Sequence, residues 1–157
     1  MSARIGLPAI IGVISDTHGT LDPAARRLFE DVDLIVHAGD IGGADILLEL
    51  EALAPVVAVR GNTDHGAWAL ELPDSASIRA GTLLVWIVHD ASGQVPPPGA
   101  AVVVCGHTHR PSLERAGNVL HVNPGSATEP RGGIRRPTVA RLELHGGRAP
   151  VAAIHRL

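Results

Sequence analysis

Five short clusters along the chain carry side chains that bind cations: Asp16-Thr17-His18, Gly39-Asp40, Gly61-Asn62-Thr63-Asp64, His89, and Gly106-His107-Thr108-His109. In the first, a carboxylate and an imidazole two residues apart can reach one cation from a single turn. In the second, the glycine lets backbone approach closely, and the Asp40 carboxylate has two oxygens with which to bridge two cations. The third offers an amide oxygen, a ligand suited only to hard or borderline cations. In the last, two imidazoles two residues apart in a tight loop can turn toward different neighbouring cations. Each cluster alone also has an ordinary reading: Asp16 capping a loop with His18 exposed, Asp40 as a loop carboxylate, Asn62 as a turn residue, His89 as a buried hydrogen-bonded histidine. His37, inside an apolar run, reads as a core histidine rather than a ligand, and His65 reads as a surface residue or a substrate contact.

The elements that position these clusters follow from hydrophobic patterning. Ala9 to Ser15 reads as a strand buried on both faces. Asp22-Pro23 then starts a helix that continues from Ala24 to Glu30. Leu34 to Ala38 is a second strand, and Ala44 to Leu53 a second helix with Ile46, Leu47, Leu50 and Leu53 on one stripe. Pro55 halts it, and Val56 to Val59 is a third strand. From about Ser75 the pattern changes to hairpins: Ser77 to Arg79 with Thr82 to Val88 around Ala80-Gly81, Leu113 to Ala116 with Val119 to Val122 around Gly117-Asn118, and Val139 to Leu144 with Ala149 to Ile154 around Gly146-Gly147. A proline-rich loop, Ala91 to Gly99, precedes the apolar run Ala101 to Cys105. The clusters thus fall at the C-terminal ends of successive strands, where open α/β sheets collect their ligands.

At 157 residues and 45% apolar content the chain fits one compact domain with an ample core. Thirteen basic residues, all arginine, against 16 acidic ones give a net charge of -3, which provides no broad cationic surface and argues against a nucleic-acid polymer as partner. A single cysteine, Cys105, cannot form an internal disulfide, so the expected compartment is the reducing cytoplasm. The apolar stretch Ile5 to Ile14 is too short for a membrane span and contains Pro8 and Gly12, so no membrane association is expected.

Taken in order, the five clusters resemble the five signature motifs of the calcineurin-like metallophosphoesterases. Ser15-Asp16-Thr17-His18-Gly19, His37-Ala38-Gly39-Asp40 and Asn123-Pro124-Gly125-Ser126, with the short length, resemble the small bacterial and archaeal phosphodiesterase group within that superfamily. The resemblance implies an α/β (α+β) fold, a four-layer αββα sandwich of two mixed β-sheets flanked by helices. It implies a dinuclear centre in which Asp16, His18 and His109 hold one divalent metal ion, Asn62, His89 and His107 the other, and Asp40 bridges them. Mn²⁺ is expected there, with Ni²⁺, Fe or Zn²⁺ as alternatives. The resemblance also implies catalytic roles for Asp40, Asn62 and His107, and Thr63 and His65 are candidate substrate contacts.

The implied reaction is hydrolysis of a small phosphodiester or phosphomonoester by a hydroxide shared between two metals, without a protein nucleophile. Thr63 stands where many larger family members carry a histidine thought to protonate the leaving group, so leaving groups of low pKa are favoured. His89 is followed by Asp90-Ala91 where the group commonly has Gly-His, and a short proline-rich loop replaces the helix expected before the fifth motif, opening one wall of the crevice. The alternative reading is a non-catalytic protein-interaction scaffold, since a eukaryotic retromer subunit resembles this same group. A homo-oligomer is compatible with the sequence.

Overall fold

The computed structural model describes residues 1–157. The apolar runs become strands because each can bury both of its faces. The strands are β1 (Ser2–Ile5), β2 (Ala9–Ile14), β3 (Leu34–His37), β4 (Val56–Ala58), β5 (Ser75–Ala80), β6 (Leu83–Val88), β7 (Ala100–Val104), β8 (Ser112–Ala116), β9 (Val119–Asn123), β10 (Thr138–Leu144) and β11 (Val151–Arg156). Helices α1 (Pro23–Leu28), α2 (Ala44–Glu51) and α3 (Ala67–Leu70) lie between them. Two mixed sheets result, a six-stranded one in the order β1-β5-β6-β7-β9-β8 and a five-stranded one in the order β11-β10-β2-β3-β4.

The period-2 alternation of side chains sorts each strand's apolar residues between two cores. Ile11 and Val13 of β2, Leu34 and Val36 of β3, and Ala140, Leu142 and Leu144 of β10 face the six-stranded sheet, meeting Ile78, Val85, Ile87, Val102 and Val122. Ile14, Ile35 and Val139 point the other way, under Phe29, Ile46 and Leu50 from the helical side. Each large aliphatic buried in this way contributes roughly 1.5–3 kcal/mol. Gly12 is required in β2: a Cβ there would lie 2.8 Å from the Phe29 ring, so a larger residue would push that ring off the sheet.

Helix α1 starts as the sequence predicts, with Pro23 in its first turn and the Asp22 carboxylate accepting the Ala24 N–H at 2.7 Å. The two longer helices end sooner than the pattern suggests, at Leu28 and Glu51. Beyond the predicted elements stand β1, a half-exposed edge strand parallel to β5, and the single turn of α3. Both are too short to impose a readable period. The two-sheet sandwich is as expected, but the helices pack only against the five-stranded sheet. The outer face of the other sheet carries a small cluster of Trp86, Val88 and Val103, with Ala91 and Cys105 against it. The segment between β6 and β7 holds no helix, consistent with its three prolines. No helix of the chain is long and apolar enough to cross a membrane.

Strands β2, β3 and β4 run parallel in one sheet, and β6, β7 and β9 run parallel in the other. Loops at their C-terminal ends converge on one edge of the sandwich. The Gly106 N–H donates to the His89 carbonyl at 2.9 Å, and the Ala127 N–H to the Ser15 carbonyl at 3.1 Å, joining the loops of both sheets.

Candidate metal centre

The backbone of the converging loops is unusual at particular residues. Only five non-glycine residues in the chain have positive φ: Asp16 (55°), His18 (47°), Asp40 (55°), His107 (68°) and His109 (58°). All five are candidate ligands, and each such conformation costs about 1–2 kcal/mol in a residue with a side chain. Surrounding hydrogen bonds hold them there. Asp16 N–H donates to the Gly39 carbonyl at 3.0 Å, His18 N–H to Asp40 at 3.1 Å and Gly19 N–H to Ile41 at 2.8 Å, continuing the β2–β3 ladder into the loops.

Three further side chains fasten the loops to one another. The Asn123 amide donates to the Gly106 carbonyl at 2.8 Å and the Thr108 hydroxyl at 3.1 Å, and its oxygen accepts the Gly125 N–H at 3.0 Å. The Ser126 hydroxyl donates to the Asp16 carbonyl at 2.8 Å. The buried Asp64 carboxylate accepts the N–H groups of Ile41 (2.8 Å), Gly42 (3.0 Å) and Gly61 (2.9 Å), tying the second loop to the third. All three lie in motifs that the sequence shows, Gly61-Asn62-Thr63-Asp64 and Asn123-Pro124-Gly125-Ser126, but the motifs alone assign them no role; the fold shows that they fasten the loops.

All seven predicted ligand side chains meet at this edge. Asp16, His18, Asp40 and His109 present ligand atoms that lie within 4.8 Å of one another. His109 Nε2 is 3.2 Å from Asp16 Oδ1 and 3.3 Å from His18 Nε2. Beside them, Asn62 Oδ1 lies 3.0 Å from His89 Nε2 and 3.0 Å from His107 Nδ1. His89 Nε2 is 3.5 Å from Asp40 Oδ1, so Asp40 stands between the two groups.

The tautomers show what this geometry requires. His109 Nδ1 donates to the Glu129 carbonyl at 2.6 Å, and His89 Nδ1 to the Ala38 carbonyl at 2.7 Å. In a neutral imidazole so fixed, Nε2 is a bare acceptor, and here it faces other acceptors, Asp16 Oδ1 in one case and Asn62 Oδ1 in the other. Asp16 Oδ1 is buried without any hydrogen-bond partner. Lone pairs converging on lone pairs in a buried site call for positive charge between them, and the mixed N/O donor set with backbone carbonyls behind the imidazoles fits divalent cations.

Electrostatics follow the same division. Burial pushes the Asp16 carboxyl above its ordinary value, against the Ser15 hydroxyl and the nearby histidines. Burial also pushes Asp40 upward, but the His89 imidazole 3.5 Å away and the Thr63 N–H (2.9 Å) more than reverse this and hold it well below the usual carboxylate range. His89 is raised: burial opposes its charge, and the Asp40 carboxylate and Ala38 carbonyl outweigh burial. His37 is fully buried and pushed down to about 3 by that burial, so it is neutral. Its Nδ1 accepts the Gly39 N–H at 3.2 Å, and its Nε2–H donates to the Thr17 hydroxyl at 2.9 Å, which in turn donates to the Ile41 carbonyl. His37 is therefore a strut beneath two loops, in keeping with the core reading.

The remaining candidates lie at the rim. Thr63 meets Asp40 through its backbone N–H, with an exposed side chain. His65 is exposed and helps line an open cavity of about 540 Å³ with Arg60, Asn62 and Leu70. Asp90 Oδ2 lies 3.8 Å from His107 Nε2, on the far side of that ring from Asn62. Cys105 is half-buried, and burial pushes its thiol up to about 11, too high for a nucleophile at neutral pH.

Residues 10–147 match the family described as the calcineurin-like phosphoesterase superfamily domain. The chain belongs to that superfamily. It is 38% identical over 155 residues to a probable metallophosphoesterase of Methanothermobacter thermautotrophicus, covering 87% of each chain. It is 32% identical over 147 residues to the phosphodiesterase YfcE of Escherichia coli, covering 76% of this chain and 79% of YfcE. A solved structure of E. coli Yfce, described as a phosphoesterase, superposes with a TM-score of 0.70 at 27% identity over 85% of this chain and 87% of that one. Vps29 of Chaetomium thermophilum shares the fold, with a TM-score of 0.74 at 19% identity over 95% and 97% of the two chains.

Proposed function

We propose that this protein is a dinuclear metal-dependent phosphodiesterase. Asp16, His18 and His109 hold one cation, Asn62, His89 and His107 the other, and Asp40 bridges them; manganese is the metal we assign. The observation that carries this reading is the buried, unpartnered Asp16 Oδ1 facing the acceptor nitrogen of His109, within a set of residues held at positive φ. A protein-binding scaffold would gain nothing from strain concentrated at those residues.

When bound, two divalent cations supply an activated water and neutralise phosphoryl charge. The chain's own part is to hold its ligands rigidly and to keep Asp40 ionised through the Thr63 N–H. Thr63 offers no proton to a departing oxygen, so the preferred substrates are small diesters with a leaving group of low pKa. The cavity beside Asn62 and His65 is the place for one ester substituent. We assign the protein to the cytoplasm, working as one domain.

The test is hydrolysis of bis(p-nitrophenyl) phosphate by metal-free protein with Mn²⁺, Ni²⁺, Zn²⁺ or Mg²⁺ added back, beside Asp40→Ala. Metal-dependent turnover lost in the variant is the expected result. Absence of turnover with every metal, in folded protein, refutes the reading.

A further inference from the structure

Thirteen arginines carry all the positive side-chain charge, yet only Arg26, Arg60 and Arg141 form ion pairs with carboxylates. Three others, Arg135, Arg136 and Arg156, line one pocket of about 350 Å³ together with Gly133 and Ile134. No carboxylate lies within 4.0 Å of any of these three guanidinium groups, and none donates a hydrogen bond within the chain. Like charges gathered without counter-charge repel, and a protein of net charge -3 has acidic residues with which it could have neutralised them. Planar guanidinium groups around a concave surface suit a phosphate, which they can grip bidentately.

The pocket's place in the fold relates it to the metal centre. Arg156 pairs across the sheet with Thr138, the first residue of β10, and Ala140 pairs with Val13 near the end of β2 that delivers Asp16. Arg156 therefore lies at the metal-bearing edge, two strand spacings or on the order of 10 Å to the side of β2. The loop bearing Arg135 and Arg136 starts on the centre itself. Its Glu129 carbonyl accepts His109 Nδ1–H at 2.6 Å, and its Arg131 N–H donates to the His109 carbonyl at 3.2 Å. Ile134 and Arg156 also border a second cleft of about 380 Å³ with Pro111, Leu113 and Ile154, which gives an apolar linker room to lie.

We propose that Arg135, Arg136 and Arg156 form an anion subsite for substrate, and that the substrate class is a phosphodiester bearing a second phosphate at its far end. This rests on the phosphodiesterase reading above. The reacting diester sits at the metal centre while the remote phosphate sits among the arginines, so the subsite acts on KM more than on the chemistry.

The test uses a matched pair of manganese-supported substrates, p-nitrophenyl hexyl phosphate and p-nitrophenyl 6-phosphohexyl phosphate, which share a leaving group. Wild-type protein is expected to show a KM at least about 10-fold lower for the phosphorylated ester, an advantage that shrinks with added salt. R135Q/R136Q/R156Q should abolish that advantage and leave kcat on the hexyl ester unchanged, while the exposed-arginine control Arg27→Gln keeps it. Equal KM values for both esters in wild-type protein, or a preference that survives the triple variant, overturns the proposal. If added free phosphate changes kcat for both esters with no KM preference, the pocket serves an effector and the substrate subsite is likewise overturned. Should neither ester turn over with any metal, the phosphodiesterase reading fails by itself. The anion site is then judged by calorimetric titration of pyrophosphate into metal-free protein: binding lost in the triple variant sustains it, and no binding by wild type removes it.

Discussion

Asn123 should matter to both stability and metal binding, although it hydrogen-bonds to no proposed ligand side chain. Its carboxamide satisfies the Gly106 carbonyl, the Thr108 hydroxyl and the Gly125 N–H, and the residue is only 4% exposed, so water cannot easily replace it. Asn123→Ala removes three hydrogen bonds at roughly 1 kcal/mol each, giving a loss of about 3 kcal/mol before any penalty for the buried groups left bare. With a urea m-value of about 2 kcal/mol/M, the unfolding midpoint should fall by roughly 1.5 M. The same bonds hold the loop in which His107 and His109 sit at positive φ, a conformation those residues leave readily once released. Manganese affinity, measured by calorimetry on the folded variant, should therefore fall at least ~10-fold, as when other residues that orient metal ligands are removed. A midpoint within 0.25 M of wild type (about 0.5 kcal/mol on that slope) together with unchanged affinity would mean that Asn123 does not hold these loops.

Two further changes probe the loops beneath the centre. A Cβ on Gly61 would lie 2.8 Å from Asp40 Cα and closer still to its amide nitrogen and Oδ1, so Gly61→Ala should displace the Asp40 carboxylate and cut metal-dependent kcat by about 100-fold or more, seen in steady-state assays. Overpacking should cost a further 1–3 kcal/mol, roughly, in urea unfolding. His37 titrates near 3 when folded but near its ordinary 6.5 when unfolded, so the unfolded chain takes up the proton first as pH falls. Its contribution is complete above pH 6.5 and is lost toward pH 3 at up to about 1.4 kcal/mol per pH unit. In metal-free protein, wild type should therefore lose roughly 2 kcal/mol more than His37→Gln between pH 6.5 and 4.5; parallel stability curves for the two would contradict this.

Much of the site could be read from sequence because its candidate ligands come in short loops immediately after buried strands. The runs ending at Ile14, His37, Ala58, Val88 and Val104 are apolar enough to mark themselves, and the next polar residues face the edge. What sequence did not reveal depends on distance through the fold. Asp64 works by accepting N–H groups from a loop about twenty residues earlier, and Ser126 holds a residue 110 positions away. No local pattern encodes such pairings. The second strand of the Val139–Ile154 hairpin starts two residues later than the pattern predicts: Ala149 and Pro150 continue the apolar run, but β11 begins at Val151. The positive φ of Asp16, His18, Asp40, His107 and His109 was also invisible, because L-residues adopt it only where tertiary bonds compel them.

If the proposed centre is right, seven side chains at one edge of the sandwich hold two cations. Metal content after equilibrium dialysis against Mn²⁺, read by inductively coupled plasma mass spectrometry, tests it most directly in wild-type protein, Asn62→Ala and Asp40→Ala. Wild-type protein should hold two ions per chain, Asn62→Ala, which keeps Asp16, His18, Asp40 and His109, one, and Asp40→Ala fewer than two. No bound metal in wild type, or the same stoichiometry in all three, would contradict it.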